Sequence, residues 1–410
     1  MAVREQIEQE ARAAGEAASR LTDEGVADAL AAAAALVRER RREVLLANAA
    51  DLETARLDEG MRDRLRLDDA RLDDLAAQVE ATAALDPLER EIGTRTLANG
   101  LVVQERRIPI GTVGANFEAR PNVALDVAGQ LLKSLNAAVL RTGGAALRTV
   151  TSLVDEVLRP ALERAGLPPA AVGLVRSADR EGARVLVSMP SLVPLVILRG
   201  SGPSTAELAA LAAESGVRTL AHAEGGGVLY VHAAASQEKA LALAEASIDR
   251  LGVCNRLNLA LVDRGAAHVL EPLLGLFRSY GLEVRGEGGA PLDAPLGHEW
   301  ASDPERVATV TVAVVEDIDE ALRLANHETS RLAAGIVTED AEAAGRFLDG
   351  YRGTAAFWHA PTRFTDGFEL TGAPETGINV DGVPGPRGPV TYRDLWLRQY
   401  RVVGDGTQRR

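Results

Sequence analysis

Apolar positions in the first ninety residues recur at helical spacing, clearest at Val26-Ala27, Leu30, Ala33-Ala34 and Val37, in a background of Ala, Glu, Arg and Leu that favours helix. The pattern predicts a run of helices with breaks at Asp51-Leu52 and Leu67-Asp68-Asp69. Leu101-Val102-Val103 through Arg106-Arg107-Ile108-Pro109 alternates apolar and polar, as an exposed hairpin strand does. From Gly111 short apolar strands alternate with helices: a strand from Val113, a helix over Val123–Leu135, a strand at Ala137–Leu140, a helix over Ala145–Ala165, then strands at Val172–Val175 and Leu192–Leu198. That order predicts a parallel sheet with right-handed crossovers.

A second series begins at Val228–Val231. It continues through helix Gln237–Arg250, strand Leu259–Val262, helix Ala267–Tyr280, strand Val307–Val315, helix Ile318–Asn326, strand Gly335–Val337 and helix Ala341–Gly350. After the Pro/Gly-rich stretch Gly382–Pro389, Thr391-Tyr392 to Val403 reads as a strand with no local partner. It should join the 101–108 hairpin or another subunit.

Composition narrows the function. The 410 residues are 46% hydrophobic, enough for two or three domains, and the formal charge of −14 argues against a nucleic-acid backbone or an anionic membrane as the main partner. No uninterrupted apolar stretch reaches membrane-spanning length, and the start is charged rather than signal-like. Cys254 is the only cysteine. It can form no internal disulfide, so it is either filler or a nucleophile, and a reducing cytoplasm is the simplest location. The histidines lack metal-ligand spacing and no G-x-S-x-G elbow occurs.

Three segments at strand ends could carry chemistry. Leu198-Arg199-Gly200-Ser201-Gly202 runs into a helix placed at Ser204 by the capping-box pattern Ser204-Thr205-Ala206-Glu207, leaving backbone N–H groups for a phosphate. Arg141-Thr142-Gly143-Gly144 repeats the arrangement with a guanidinium suited to a ribose phosphate. Gly143, Gly200, Ser201, Gly202 and Arg141 are therefore candidate nucleotide contacts. Glu118-Ala119-Arg120-Pro121-Asn122 lies at the carboxyl edge of the same sheet, and Thr362–Gly367 has similar polar density. Each also reads as an ordinary polar turn.

Together these strings are in the order and spacing of a known family. The chain resembles the gamma-glutamyl phosphate reductase (glutamate-5-semialdehyde dehydrogenase) branch of the aldehyde dehydrogenase superfamily. The resemblance rests on Pro109-Ile110-Gly111, EARPNV at 118–123, Leu132-Lys133-Ser134 with Asn136-Ala137, Val253-Cys254-Asn255, TRFTDG at 362–367, Glu375 with Gly377-Ile378, and Arg387-Gly388-Pro389. It implies an α/β fold of two Rossmann-like parallel-sheet domains plus a small β oligomerisation flap. The cofactor domain would span 1–96 and 110–227, the catalytic domain 228–380, and the flap 97–109 and 381–410. It implies an NADPH-dependent reductase, homodimeric or homotetrameric, acting on a small acyl phosphate through a Cys254 thioester.

For that thioester step the oxyanion needs preorganised donors, and the Cys254 N–H and the Asn122 side chain are the candidates. Glu118, Arg120, Asn255, Arg363, Thr365 and Asp366 would contact substrate, with Arg120 and Arg363 as anion holders and His222 near the place of the base in hydrolytic relatives. The chain departs from the family at Glu224-Gly225-Gly226-Gly227, at Asn258 where a Glu is expected, beside an unusual Arg256, and at Leu332-Ala333-Ala334. Those departures leave two alternatives: a paralogue reducing another acyl phosphate or acyl donor, or a non-catalytic subunit retaining the fold.

Overall fold

The computed structural model describes residues 3–57, 59–118, 120–200, 202–222, 225–381 and 385–408. Five helices come first: α1 (Val3–Ala18), α2 (Asp23–Glu39), α3 (Arg41–Thr54), α4 (Glu59–Leu65) and α5 (Asp69–Ala83). The break at Leu67–Asp69 is where expected, with the Asp68 side chain capping α5. The break at Asp51-Leu52 is absent, because α3 runs through both residues. Asp51 is buried, and its carboxylate accepts bonds from the Thr149 N–H at 2.8 Å and the Thr149 hydroxyl at 2.7 Å. A residue that looks like punctuation is thus a tertiary cap for another helix.

Strands β1 (Glu91–Thr96) and β2 (Val102–Pro109) form an antiparallel hairpin. The first parallel lobe follows as β3 (Thr112–Phe117), α6 (Asn122–Lys133) and β4 (Ala137–Thr142). Then come α7 (Leu147–Ser152) and α8 (Arg159–Arg164), joined by a π turn over Leu153–Leu158, with β5 (Val172–Leu174), α9 (Arg180–Leu186), β6 (Leu195–Arg199), α10 (Gly202–Ser215) and β7 (Arg218–His222). The strand order is β5-β4-β3-β6-β7, all parallel. The chain winds outward from β3 through β4 to β5 and then returns beside β3 at β6. The ends of β3 and β6 therefore flank the switch point where such sheets bind nucleotides. Helix α10 begins at Gly202, two residues before the capping-box start, so Ser204 lies inside its first turn.

The second lobe contains β8 (Gly227–Val231), α11 (Gln237–Ile248), β9 (Leu257–Asp263), α12 (Ala267–Ser279), β10 (Glu283–Gly286), β11 (Thr309–Val315), α13 (Ile318–His327), β12 (Ala333–Val337), α14 (Ala341–Gly350) and β13 (Ala355–Trp358). Its parallel order is β10-β11-β9-β8-β12-β13. A short helix α15 (Gly367–Thr371) and the hairpin β14 (Gly377–Asn379) with β15 (Gly388–Val390) precede the last strand, β16 (Trp396–Val403). Strand β16 pairs with β2 from Trp396↔Pro109 to Val403↔Val102, which gives the terminal strand the expected hairpin partner. The flap sheet β1-β2-β16 takes in Glu91–Thr96 as well.

Two family strings turn out to be struts. The Asn136 amide donates to the Ser134 hydroxyl and the Leu395 carbonyl, and its oxygen accepts from the Gly111 N–H at 2.9 Å. Lys133 donates to the Leu85 carbonyl at 2.5 Å, and Gln130 accepts from the Tyr392 N–H at 2.9 Å. The end of α6 thereby ties the helical segment, the sheet and the C-terminal tail together.

Candidate active site

Cys254 lies in the turn that enters β9, half-buried, with an apolar wall of Leu332, Ala333 and Ile378 behind it, flanked by Phe357 and Val380. Burial, and then the charges of Glu299 and Glu375, push its thiol up to about 12, while Arg199 and Arg120 pull the other way. Those four groups come from both lobes and the loops between them, so the sulfur is where the two lobes meet. Leu332, Ala333 and Ala334 are fully buried; Leu332 and Ala333 pack against the thiol and help leave it poorly solvated, while Ala334 joins the core with Val228 and Tyr230. Because so little thiolate exists near neutrality, iodoacetamide labelling of Cys254 in the ligand-free protein should climb about tenfold per pH unit without levelling off between about pH 7 and 10. Mass spectrometry of the labelled peptide measures it.

The glycine departure has a steric cause. Gly226 and Gly227 donate backbone bonds to the Cys254 carbonyl at 2.6 Å and the Arg256 carbonyl at 2.7 Å, clamping β8 to the nucleophile turn. Gly226 has φ +105°, and a Cβ on Gly227 would lie 2.3 Å from the Thr362 hydroxyl. Arg256 is 1% exposed and donates to the Val307 carbonyl at 2.6 Å and to the Thr309 carbonyl, stitching the same turn to the start of β11. Asn258 donates to the His298 carbonyl at 2.6 Å and accepts from the Trp300 N–H at 3.0 Å.

The expected substrate contacts divide into two sets. The Asn255 amide donates to the Arg363 and Thr365 carbonyls, both at 3.0 Å, and its backbone carbonyl accepts from the Thr362 hydroxyl at 2.9 Å. Arg363 is committed to Asp249 at 2.6 Å and to the Asn255 side chain, Thr365 is buried, and Asp366 caps α15 through the Phe368 N–H. These four hold the TRFTDG loop against the nucleophile turn, with the guanidinium of Arg363, expected to hold an anion, paired to Asp249 and Asn255.

Arg120 differs. It keeps exposed surface, yet loss of water around its head and the neighbouring charges of Arg64, Arg199 and Arg250 lower its guanidinium to about 10, while Cys254 acts to raise it. Arg64 also donates to the Gly252 carbonyl at 3.2 Å, crossing from α4 to the loop before the cysteine. Sequence reading missed Arg64 and Arg199, which only the fold brings near Arg120, and passed over Arg250, which stands shortly before Cys254 in the chain. Asn122 opens α6 and donates to Asp126 at 3.2 Å, whose carboxyl burial raises to about 6.

At the switch point, a Cβ on Gly200 would lie 2.9 Å from Glu118 Oε1, so backbone and carboxylate form a close cradle there, while the space over Gly143 is open. Gly202 opens the fourteen-residue α10 and presents its N-terminal donors to that cradle. Ser201 lies outside the described residues, as does the side chain of His222. Arg141 is 8% exposed and donates to Asn116 at 3.1 Å and to the Ala178 and Asp179 carbonyls at 3.3 and 2.9 Å. It braces the turn beside β4 rather than offering a free fork to a ribose phosphate. The glycines, the cradle and the helix start fit a dinucleotide. Among the described residues no group of three His, Cys, Asp or Glu side chains could hold a metal ion.

Two parallel-sheet lobes with one thiol between them, glycine-lined strand ends in the first and a β flap outside both define a reductase of the aldehyde dehydrogenase type. An acetylating aldehyde dehydrogenase from Geobacillus thermoglucosidasius shares that fold, with a TM-score of 0.70 at 16% identity over 99% of this chain and 97% of that one. No family model matches the chain. A gamma-glutamyl phosphate reductase of Acidiphilium cryptum is 36% identical over 394 residues, 93% of this chain and 91% of the relative. The crystal structure of gamma-glutamyl phosphate reductase from Thermotoga maritima superposes with a TM-score of 0.91 at 28% identity, covering 99% of this chain and all of that one. The chain belongs to the gamma-glutamyl phosphate reductase family.

Proposed function

We infer that this chain reduces gamma-glutamyl phosphate to glutamate-5-semialdehyde and phosphate with NADPH, the proline-biosynthetic reaction, through a thioester on Cys254. The observation that carries the reading is the lone thiol at the meeting of the lobes with Arg120 and Arg199 facing it, and Arg64 and Arg250 adding positive charge around Arg120. A doubly charged acyl phosphate matches that cluster. Cys254 attacks the acyl carbon and phosphate leaves, which splits one hard displacement into two easier ones. Arg120 and its neighbours hold the phosphate and ease its departure. The Cys254 N–H and Asn122 stabilise the oxyanion. Gly143, Gly200 and Gly202 would hold the nicotinamide cofactor, which when bound would supply the hydride. The apolar wall at Leu332, Ala333 and Ile378 keeps water from the thioester.

The test runs the reaction backward: glutamate-5-semialdehyde, phosphate and NADP⁺ should give phosphate-dependent NADPH absorbance. Cofactor binding and thiol labelling without turnover on this aldehyde would instead favour a different acyl group.

The flap is assigned as the homodimer or homotetramer contact. Leu397, Tyr400, Val402 and Val403 on β16 are each about half exposed, an apolar row on an open sheet edge. Val402→Asp with Tyr400→Asp should shift the light-scattering mass toward the 43.2 kDa chain; an unchanged mass would remove the flap from the contact. No helix among the described residues is long and apolar enough to cross a membrane, and the cytoplasm suits a thiol that must stay reduced.

A further inference from the structure

One carboxylate beside the thiol has no part in the steps above. Glu299 stands in the loop before β11, and Gly225 measures its approach. A Cβ built on Gly225 would lie 2.4 Å from Glu299 Oε1 and 2.6 Å from the Cys254 Cβ, so the carboxylate oxygen and the cysteine methylene are at most about 5 Å apart. The loop is held there firmly. Asn258 binds the His298 carbonyl at 2.6 Å and the Trp300 N–H at 3.0 Å, straddling Glu299. Trp300 is fully buried and donates to the Thr311 hydroxyl at 2.9 Å. The Ser302 hydroxyl donates to Glu299 Oε2 at 2.7 Å, with Oε1 on the side of Gly225 and the Cys254 methylene. Here glycine at 225 is what admits the carboxylate.

We propose that Glu299 accepts the Cys254 thiol proton as the thioester forms, directly or across one water. The proposal rests on the acyl-phosphate reading above. The thiol proton passes to the Glu299 carboxylate as the S–C bond forms at the acyl carbon. The C–O bond to the phosphate oxygen then breaks, that oxygen keeps the electron pair, and the proton on Glu299 follows it, so that hydrogen phosphate departs and the carboxylate is restored. No oxidant or reductant enters this half of the reaction. The surroundings call for such a base, because a thiol pushed up to about 12 by burial is neutral until something removes its proton. Arg120 and Arg199, which also face the thiol, cannot accept one. Glu375 faces it too, with a weaker hold on the thiol than Glu299, and its Oε2 accepts from the Gly367 N–H at 3.0 Å. Arg256 is the cation that feels Glu299.

Glu299→Gln separates a base from a mere neighbouring charge, since the two move different readouts. Removing the anion favours the thiolate, so iodoacetamide labelling of Cys254 at neutral pH should become several-fold faster. Loss of the base should lower kcat in the reverse assay roughly 10²- to 10³-fold, with KM for the aldehyde within about threefold. Glu299→Asp, which keeps a carboxylate, should recover part of kcat. Faster labelling with kcat kept or raised would overturn the proposal and leave Glu299 as a charge only. Slower labelling together with a lowered thermal midpoint in both variants would overturn it in favour of a loop-holding role. A wild-type enzyme silent on glutamate-5-semialdehyde would overturn the functional reading itself, a failure visible without any variant.

Discussion

Replacing Cys254 with serine should remove turnover by roughly 10⁴-fold or more while leaving the fold and nucleotide binding in place. Serine is slightly smaller, and neither the wall of Leu332, Ala333 and Ile378 nor the backbone bonds from Gly226 and Gly227 depend on the sulfur. What disappears is nucleophilicity. A hydroxyl in this apolar, carboxylate-flanked position is harder to ionise than the thiol it replaces, and no other cysteine can substitute. The reverse assay reads the loss, and a fluorescence titration with NADP⁺ checks that binding survives. Retained turnover would exclude a thioester route.

Arg256→Ala should cost about 3–5 kcal/mol of stability. The guanidinium is 1% exposed and donates to two main-chain carbonyls at the start of β11. Truncation leaves those oxygens unpaired in the interior and opens a cavity among packed strands. Burial lowers this guanidinium to about 10, with Glu299 acting to restore it, so the side chain is held against a desolvation penalty that its hydrogen bonds offset. Arg256→Met fills much of the volume but leaves the carbonyls unpaired, and should lose less. Thermal or urea unfolding measures both. If Ala and Met cost the same, the carbonyl bonds carry the effect; if neither destabilises, Arg256 is not the stitch described here.

Much of the two-lobe plan was legible because parallel strands buried on both faces must be continuous apolar runs. Ala137–Leu140 and Val228–Val231 stand out for that reason and are fully buried as β4 and β8. Strands β7, β10 and β13 escaped notice. Arg218–His222 and Glu283–Gly286 are short and mixed in polarity and Ala355–Trp358 is only four residues long; each lies at the outer edge of its sheet. Asp51 was misread for the opposite reason: its partner Thr149 is 98 residues away.

At the site, local sequence pointed to groups whose chemistry is carried by their own residue type and position: the single thiol at 254, the glycines ending β6 and the polar string after β3. It could not give the partners of Arg141, Arg363 and Asn255, whose polar atoms bond to neighbours that only folding supplies.

The chain by itself determined the alternation of strands and helices, and hence two parallel sheets, because burial on both faces and crossover geometry act over tens of residues. It also determined which sulfur could do covalent chemistry. Only the tertiary structure decided what surrounds that sulfur: arginines 120 and 199, and a carboxylate at 299 admitted by the missing side chain of residue 225. Electrostatic neighbours are set by distance in space, and the residues that meet at Cys254 are scattered along most of the chain.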